Sequence, residues 1–444
     1  MGDAGNIAFV TLGCTKNEVD SDKMAALLED AGYRIVDDPE DAHLVIVNTC
    51  SFLMSAVDEG LEVIFDLVNS RAELPEKAKI LVAGCMPARY GDALSDELTE
   101  VEGFLPASEE DRVVEKVGEL LGGKAPQEAP AGPAGNATRR SVGPSAYVKI
   151  SDGCDRFCSY CTIPYIRGRY HSFSYDEICA EVDELVVSGA REIVLIGQDT
   201  GIWGQDLEPK SSTAQLVSGL AERFPTTWFR LMYLQPAGIT DELLDVIAAN
   251  DNICSYLDMP LQHCDPDILE RMNRGGSADS YLELLERVRT RVPGIMTRTT
   301  LMAGFPGETE AQFSELLDFV DEARFDYAVV FPYSQEEGTA AAGFSGQIDE
   351  DVKLARAQQL LDACEAVGQS QIAELVGNEV TCLVEGFEQT DVGTEALCRW
   401  QGQAPEVDGQ VHVPFQVDNA PSIGDIVLVR ITDTFYYELE GELI

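Results

Sequence analysis

The chain has 444 residues, 45% of them hydrophobic, which is enough for about two to four domains with cores of their own. With 31 basic and 78 acidic residues its net charge is −47, so most of its surface would repel a nucleic acid and attract a basic protein. No apolar run approaches the ~20 residues of a membrane helix, and the start MGDAGNIAFV lacks a basic signal-peptide region, so we expect a soluble, cytoplasmic protein with no membrane partner.

The first part of the chain, residues 1–122, alternates buried strand patterns with amphipathic helix patterns. The predicted strands are NIAFVTL, HLVIVNT and KILVAG, and the predicted helices are VDSDKMAALLEDAG, AVDEGLEVIFDLVNS and EEDRVVEKVGELLG. This alternation predicts an α/β domain with a parallel sheet and helices on its faces. Residues 123–144 are rich in Pro, Ala and Gly without periodicity and are predicted to be a linker.

The rest of the chain divides into a second α/β part and an all-β part. Residues 145–370 contain six predicted strands with helices between them: AYVKIS, REIVLIG, WFRLMYL, ICSYLDMPL, MTRTTLMAG and DYAVVFPY. Six β/α units predict a partial or full barrel with its functional site at the carboxyl ends of the strands. In residues 371–444 the period-two patterns VTCLVEGF, VHVPFQV and DIVLVRITDTFYYELEGELI predict a small antiparallel β-barrel.

Three of the twelve cysteines lie within eight positions directly after the strand AYVKIS: Cys154, Cys158 and Cys161, here called the central triplet. In a reducing compartment such cysteines are metal or redox groups rather than disulfides. Structural zinc prefers paired C-x2-C units and four ligands, and no second pair is nearby. The C-x3-C-x2-C spacing therefore predicts an iron–sulfur cluster, with zinc or three unrelated thiols as the alternatives. A 4Fe–4S cluster on three thiolates leaves one iron open to a small molecule.

Three further cysteines each follow a predicted strand of the first domain: Cys14, Cys50 and Cys85, here called the N-terminal triplet. The carboxyl ends of parallel strands share one sheet edge, so these thiols can converge although ~35 residues separate them. This common position predicts a second three-thiolate cluster, against the alternative that buried cysteines are ordinary small apolar residues. No role is predicted for the remaining six, which are Cys179, Cys254, Cys264, Cys364, Cys382 and Cys398.

These motifs resemble a known family. GCDRFCSYCTIPYIRGR resembles the radical S-adenosylmethionine (SAM) enzymes, and TLGCTKNEVDS, VIVNTCSF and AGCMP extend the resemblance to the methylthiotransferases over nearly the whole chain. The resemblance implies a methylthiotransferase N-terminal domain, a central radical SAM (β/α) barrel and a C-terminal TRAM domain, an OB-like β-barrel. It also implies SAM and two 4Fe–4S clusters as cofactors, with the auxiliary cluster on the N-terminal triplet and the SAM-binding cluster on the central triplet.

Two branches of the family compete. The RimO-like branch methylthiolates the β-carbon of an aspartate in protein twelve of the small ribosomal subunit, and LGCTKNEVDS, GQDTGIWG, YLDMPLQHCDP and YSQEEGT are similar to it, with small departures at Thr15 and Cys264. The MiaB-like branch methylthiolates an adenosine in tRNA. A non-enzyme alternative, an iron–sulfur electron carrier, predicts four-thiolate clusters and no SAM cleavage. The resemblance also implies a reductant such as flavodoxin or ferredoxin as a partner.

Charge favours the ribosomal-protein branch. Fourteen acidic and two basic residues give residues 371–444 a net charge of −12, which leaves −35 for the other 370 residues. A domain that holds tRNA should have a basic face, whereas an acidic one suits a basic ribosomal protein. The expected partner is therefore the ribosomal protein, and tRNA is not expected. A generally acidic proteome would explain the same charge without reference to a partner.

The resemblance further implies which residues contact SAM. The loop after the second barrel strand, Gly197, Gln198 and Asp199, would hold its methionine part, and Gln262 lies at a plausible ribose position after the fourth strand. Gly304, after the fifth strand, would allow close backbone approach or simply form a turn. No catalytic residue is predicted beyond the cluster ligands.

Four polar residues near the two triplets have open roles. Asn17 and Asp20 would brace the loop of the N-terminal triplet. Alternatively, Asp20 would only cap the following helix. Arg167 and Arg169 are rare cations in an acidic chain that would stabilise negative cluster charge or a substrate carboxylate, unless they lie in a solvated loop.

Overall fold

The computed structural model describes residues 5–71, 78–122, 143–390, 393–415 and 420–444. The predicted linker at 123–144 lies outside the described residues except for its last two positions. The domain limits taken from the sequence stay a prediction.

The N-terminal domain is a five-stranded parallel sheet with helices on both faces. Its elements are β1 (Asn6–Thr11), α1 (Thr15–Asp30), β2 (Arg34–Val36), β3 (Leu44–Thr49), α2 (Met54–Ser70), β4 (Lys79–Gly84), α3 (Cys85–Tyr90), α4 (Asp92–Glu97), β5 (Gly103–Pro106) and α5 (Val113–Leu121). The strand order β2-β1-β3-β4-β5 places a topological switch point between β1 and β3, where open α/β sheets bind ligands. Helices α1 and α5 cover one face and α2 the other, so the central strand β3 is buried along its whole length.

The three strands predicted for this domain are present, and two further strands were missed. β2 has three residues and β5 has four, which is too short for a periodic pattern to appear in the sequence. Both lie at the edges of the sheet.

The central domain is a partial (β/α) barrel. Its elements are β6 (Ser145–Lys149), β7 (Ser151–Asp152), α6 (Ile163–Ile166), β8 (His171–Ser172), α7 (Tyr175–Val187), β9 (Glu192–Ile196), α8 (Thr213–Arg223), β10 (Trp228–Leu231), α9 (Asp241–Ala249), β11 (Tyr256–Gln262), α10 (Pro266–Arg271), α11 (Ala278–Arg291), β12 (Met296–Ala303), α12 (Glu310–Ala323), β13 (Tyr327–Pro332) and α13 (Glu350–Ala373). The six predicted strands form two parallel sheets, β10-β9-β6 and β11-β12-β13, joined by a bridge between Phe229 and Ile253.

Local sequence fixes where the outer helices of this barrel begin. Ser174, Ser212, Ser277 and Thr309 each accept a hydrogen bond from the backbone N–H three residues on, whose side chain bonds back to the cap. Such reciprocal capping satisfies backbone donors that the helix itself leaves free.

The C-terminal domain is a closed five-stranded barrel. Its strands are β14 (Glu379–Thr390), β15 (Gly393–Trp400), β16 (Val411–Pro414), β17 (Ile426–Phe435) and β18 (Glu438–Leu443), in the order β14-β15-β16-β18-β17. The sequence prediction missed β15, because GTEALCRW does not alternate cleanly between apolar and polar residues. The predicted antiparallel pairing holds for all neighbours except β16 and β18, which are parallel.

Buried ion pairs join this barrel to the amino ends of the central strands. Arg399 pairs with Glu192 and, at 2.7 Å, with Glu385, and Arg230 Nε donates to Glu192 Oε1 at 2.8 Å. Glu192 and Arg230 are 0% exposed. Burial alone would raise the pKa of Glu192, but the two guanidinium groups outweigh it and lower the pKa to about 2.

We expect the Glu192→Gln variant to have a smaller free energy of unfolding than the original chain at about pH 7. In acid this difference between the two chains should shrink. A carboxyl group whose pKa is lowered by folding stabilises the fold at pH values above its ordinary pKa of 4.5. This contribution, about 3 kcal/mol at full extent, disappears as the pH falls toward 2. Urea unfolding monitored by tryptophan fluorescence should show a smaller gap between the two chains at about pH 3 than at about pH 7. The control is Glu283→Gln, on the exposed face of α11, which should leave the free energy of unfolding unchanged at both pH values.

Candidate cluster and SAM sites

The N-terminal triplet lies at the carboxyl edge of the five-stranded sheet, as predicted. Cys14 precedes α1, Cys50 follows β3 and Cys85 begins α3, and only the first of these is exposed. A Cβ on Gly13, whose φ is +98°, would lie 2.5 Å from Cys50 Cβ, and a Cβ on Gly84 would overlap Asn48 Oδ1 of the neighbouring strand β3. Glycine is thus required at both positions for the three loops to approach one another.

Asn17 holds the loops of this triplet together. Its Nδ2 donates to the carbonyl oxygens of Leu12 at 2.8 Å and Thr49 at 3.0 Å, which end two neighbouring strands. Its Oδ1 accepts from Arg167 Nη2 at 2.8 Å and lies 3.7 Å from Cys85 Sγ. These contacts agree with the bracing role considered for Asn17. Asp20 is not a helix cap, because α1 already begins at residue 15.

The central triplet lies in the loop that follows β7, at the carboxyl end of the first barrel strand. Cys154 N donates to Gly168 O at 3.2 Å, which closes the base of the loop. Asn273 Nδ2 donates to the carbonyl oxygens of Arg156 and Phe157, both at 3.0 Å, and so fixes the loop's outer part. Asn273 was not singled out in the sequence, because it lies more than 100 residues further along the chain and nothing local marks it.

The two triplets adjoin each other. Thr162, next to the last cysteine of the central triplet, donates through Oγ1 to Phe52 O at 3.3 Å, two residues after Cys50. On another side Arg167 Nη2 lies 3.5 Å from Cys85 Sγ. The mouth of the barrel therefore faces the carboxyl edge of the N-terminal sheet.

Neither triplet is gathered for a single ion. Across the described ranges, no three His, Cys, Asp or Glu side chains lie close enough to hold one metal ion. Zinc sites need their ligands around one centre, whereas the thiolates of a polynuclear cluster bind separate irons. Burial raises the pKa of the Cys85 and Cys161 thiols to about 12, so a metal must displace their protons when it binds.

The loop after β9 lies beside the central triplet. Gln198 Nε2 donates to Asp152 Oδ1 at 3.0 Å, and Asp199 Oδ2 accepts from Arg156 Nε at 2.7 Å. A Cβ on Gly197 would meet Ser151 Oγ at 2.5 Å, so the loop is packed against the end of the first barrel strand. Asp199 is 0% exposed, and burial raises its pKa.

The two later SAM candidates differ from each other. Gln262 ends β11 with φ +75°, an uncommon backbone for a residue other than glycine that often marks a functional position. Gly304 packs against Lys353, 2.4 Å from where its Cβ would be, and its N–H donates to Glu308 Oε2 at 2.8 Å. Its surroundings thus account for glycine by packing alone. Glu308 also contacts a buried histidine next to Gln262, with its Oε1 3.2 Å from His263 Nε2.

Within the part of the chain that the structure describes, some buried polar side-chain atoms without a hydrogen-bond partner lie at the two sites, and they test whether the residues there fit clusters and SAM. Six such oxygens belong to residues beside the triplets: Thr15 Oγ1, Asn48 Oδ1 and Ser51 Oγ at the first, and Ser151 Oγ, Gln198 Oε1 and Asp199 Oδ1 at the second. Buried oxygens normally have a hydrogen-bond partner, so acceptors left free beside the triplets are compatible with a polar group that binds there. The two thiol triplets and these oxygens therefore fit 4Fe–4S clusters and SAM.

Comparison with known proteins gives the same three parts. Residues 6–106 match the uncharacterized protein family UPF0004, residues 148–320 the radical SAM superfamily and residues 376–444 the TRAM domain.

Curated relatives match from end to end. The ribosomal protein uS12 methylthiotransferases RimO of Syntrophus aciditrophicus and Geobacter sulfurreducens are 41% and 40% identical, each over 99% of this chain and 98% of their own length. The enzyme of the same name from Natranaerobius thermophilus is 38% identical over 98% of both chains. The chain belongs to the RimO family. The recognition made from the motifs is confirmed, and the RimO family implies 4Fe–4S clusters and SAM as cofactors, as predicted.

Solved structures support the fold of this RimO family member. Two structures of TsrM, a radical S-adenosylmethionine methyltransferase from Kitasatospora setae, give TM-scores of 0.55 and 0.57 at 16% and 15% identity. They cover 74% and 82% of this chain, and 73% and 89% of their own. At such identity the likeness shows the fold alone, and the predicted α/β class is confirmed. Among the described residues no helix is long and apolar enough to span a bilayer, and the cytoplasmic location stays a prediction.

Replacing Cys14, Cys50 and Cys85 together by alanine should halve the iron content of anaerobically reconstituted protein, from about eight to about four per chain. Cleavage of SAM to 5′-deoxyadenosine should persist, because the central triplet is untouched. Iron analysis and chromatography measure the two outcomes.

The matched control replaces three buried cysteines that have no predicted role, Cys179, Cys264 and Cys364, by alanine and should retain all the iron. Unchanged iron in the N-terminal variant, or uptake of zinc alone by the original chain, would contradict the assignment of two clusters.

Proposed function

We propose that this chain is a radical SAM methylthiotransferase that adds a methylthio group to the β-carbon of an aspartate in ribosomal protein uS12. The observation that carries the proposal is the end-to-end similarity to RimO enzymes together with two adjoining thiol triplets at the carboxyl ends of two sheets. Two sites side by side suit a reaction that joins a sulfur group to an activated carbon.

In this proposal the N-terminal triplet holds an auxiliary 4Fe–4S cluster and the central triplet holds the 4Fe–4S cluster that binds SAM. When bound, these groups supply reductive cleavage of SAM and a methylthio donor, which together convert an inert C–H bond that acid–base catalysis cannot break. The electron comes from a reductant of the flavodoxin or ferredoxin class.

The chain's own residues bind and orient SAM. With respect to the described residues, Gln198 Oε1 and Asp199 Oδ1 are buried acceptors without a hydrogen-bond partner, which suits them to the amino group of the methionine part. Asp152 and Arg156 fix the opposite atoms of these two side chains, so the free acceptors are held in place. Gln262, at the end of β11, would contact the ribose, and the contact of Gly304 with SAM stays a prediction.

Charge on the C-terminal barrel supports a basic protein substrate. Both of its arginines are already paired, Arg399 with the buried Glu192 and the partly exposed Glu385, and Arg430 with Glu379 at 2.9 Å and Glu442 at 3.1 Å. Among the described residues of the barrel, no further Lys or Arg is left to neutralise the exposed acids Glu388 and Glu440. This arrangement would attract a basic protein and repel tRNA.

In the deciding experiment, uS12 and tRNA are incubated in parallel with the reduced, reconstituted enzyme, SAM and sulfide. We expect mass spectrometry to find one methylthio group on an aspartate of uS12 and none on adenosine. Modified tRNA with unmodified uS12 would instead assign the MiaB-like activity, and no 5′-deoxyadenosine with intact clusters would indicate an electron carrier.

Reversing two charges on the barrel, with Glu388→Lys and Glu440→Lys together, should raise the KM for uS12 by about tenfold at low salt and leave kcat nearly unchanged. The physical reason is the loss of long-range attraction, so the difference should shrink as salt is added. Initial-rate kinetics at two salt concentrations measure this effect.

The matched control carries the same charge change on the central domain, with Glu283→Lys and Glu286→Lys on the exposed face of α11. An equal effect in both variants would mean that total charge, rather than this surface, guides the substrate.

A further inference from the structure

Arg167 is a buried cation that reaches from the central domain to the N-terminal triplet. Its side chain is 3% exposed, and its Nη2 lies 3.5 Å from Cys85 Sγ while donating to Asn17 Oδ1 at 2.8 Å. It is the arginine of the IRGR motif whose role the sequence left open. Arg169, in the same motif, is 76% exposed and pairs with a surface aspartate.

Two carboxylates hold the other end of the guanidinium group. Arg167 Nη1 pairs with Asp20 Oδ2 at 2.6 Å and lies 3.5 Å from Asp152 Oδ2. Lys149 pairs with both acids, so each is held by two cations. Because the guanidinium is planar, fixing Nη1 also fixes the direction in which Nη2 points. The sulfur of Cys85 thus faces a donor whose position is set in advance.

We propose that Arg167 is a positioning residue that donates a hydrogen bond to the Cys85 thiolate of the auxiliary cluster and raises the reduction potential of that cluster. The inference rests on the proposed function, because it requires Cys85 to be a cluster ligand. Reduction adds negative charge to a cluster and its thiolates, so a cationic donor stabilises the reduced state more than the oxidised one. Burial strengthens this effect because little water screens it.

The central triplet has a counterpart that serves as a matched control. Arg274 Nη1 lies 4.0 Å from Cys158 Sγ, and its Nη2 donates to Pro260 O at 2.5 Å. Arg274 thus lies near a sulfur of the central triplet as Arg167 lies near one of the N-terminal triplet, and a substitution of either should act on its own cluster.

The test uses the full chain with Cys154, Cys158 and Cys161 replaced by alanine, so that only the auxiliary cluster is present. Midpoint potentials are measured by titration with dithionite, followed by electron paramagnetic resonance. On this background Arg167→Lys keeps the charge but lacks the fork that reaches both Asn17 and Cys85, and we expect a shift to more negative potential with unchanged iron. Arg274→Lys should leave the potential where it was.

Three outcomes would overturn the proposal. One is an unchanged potential in Arg167→Lys with full iron, and another is an equal shift in Arg274→Lys. The third is loss of iron from a folded Arg167→Lys chain, which would mean that the arginine is needed for the cluster to assemble rather than to set its potential. If Arg167→Lys does not fold, Arg167→Gln together with Asp20→Asn replaces it, because Lys149 and Asp152 then still balance each other in charge while the cation beside Cys85 is gone. The same direction of shift is expected, and no shift overturns the proposal. A different result would refute the auxiliary cluster itself: the background chain, with Arg167 intact, does not take up about four irons.

Discussion

The buried ion pairs of Asp20, Lys149, Asp152 and Arg167 determine how the N-terminal and central domains meet. Asp20 comes from α1 of the first domain, and the other three come from the first β/α unit of the second. Removing one member of such a buried set leaves an uncompensated charge and costs about 3–5 kcal/mol, so other relative placements of the two domains are strongly disfavoured. A second link, between Arg89 and Glu336 at 3.1 Å, fixes the far side of the same interface.

This fixed docking brings together two sites that belong to different folds. An open α/β sheet and a β/α barrel both present ligands at the carboxyl ends of their strands, and here those two ends face each other. Neither domain alone contains both thiol triplets. The donor of a sulfur group and the source of a radical are thereby held next to each other without either domain having to change its own architecture.

Much of this arrangement could be predicted from the sequence. Cys14, Cys50 and Cys85 each follow a buried strand, and the rule that parallel strands end at one edge was enough to group them. What the sequence could not supply are contacts between distant segments, such as Asn273 on the central loop or Glu336 against Arg89, because no local pattern pairs them. Arg167 and Arg169 are two positions apart in one motif, yet one is buried and the other exposed, and only the three-dimensional packing distinguishes them.

The partial closure of the barrel has a consequence for solubility. Among the described strands β6 and β13 end their sheets without a neighbour, and unpaired strand edges invite association between molecules. Helix α1 of the N-terminal domain lies against β6, and α13 lies against β13. The N-terminal domain thus places α1 beside one end strand of the half-open barrel, and the central domain's own α13 lies beside the other.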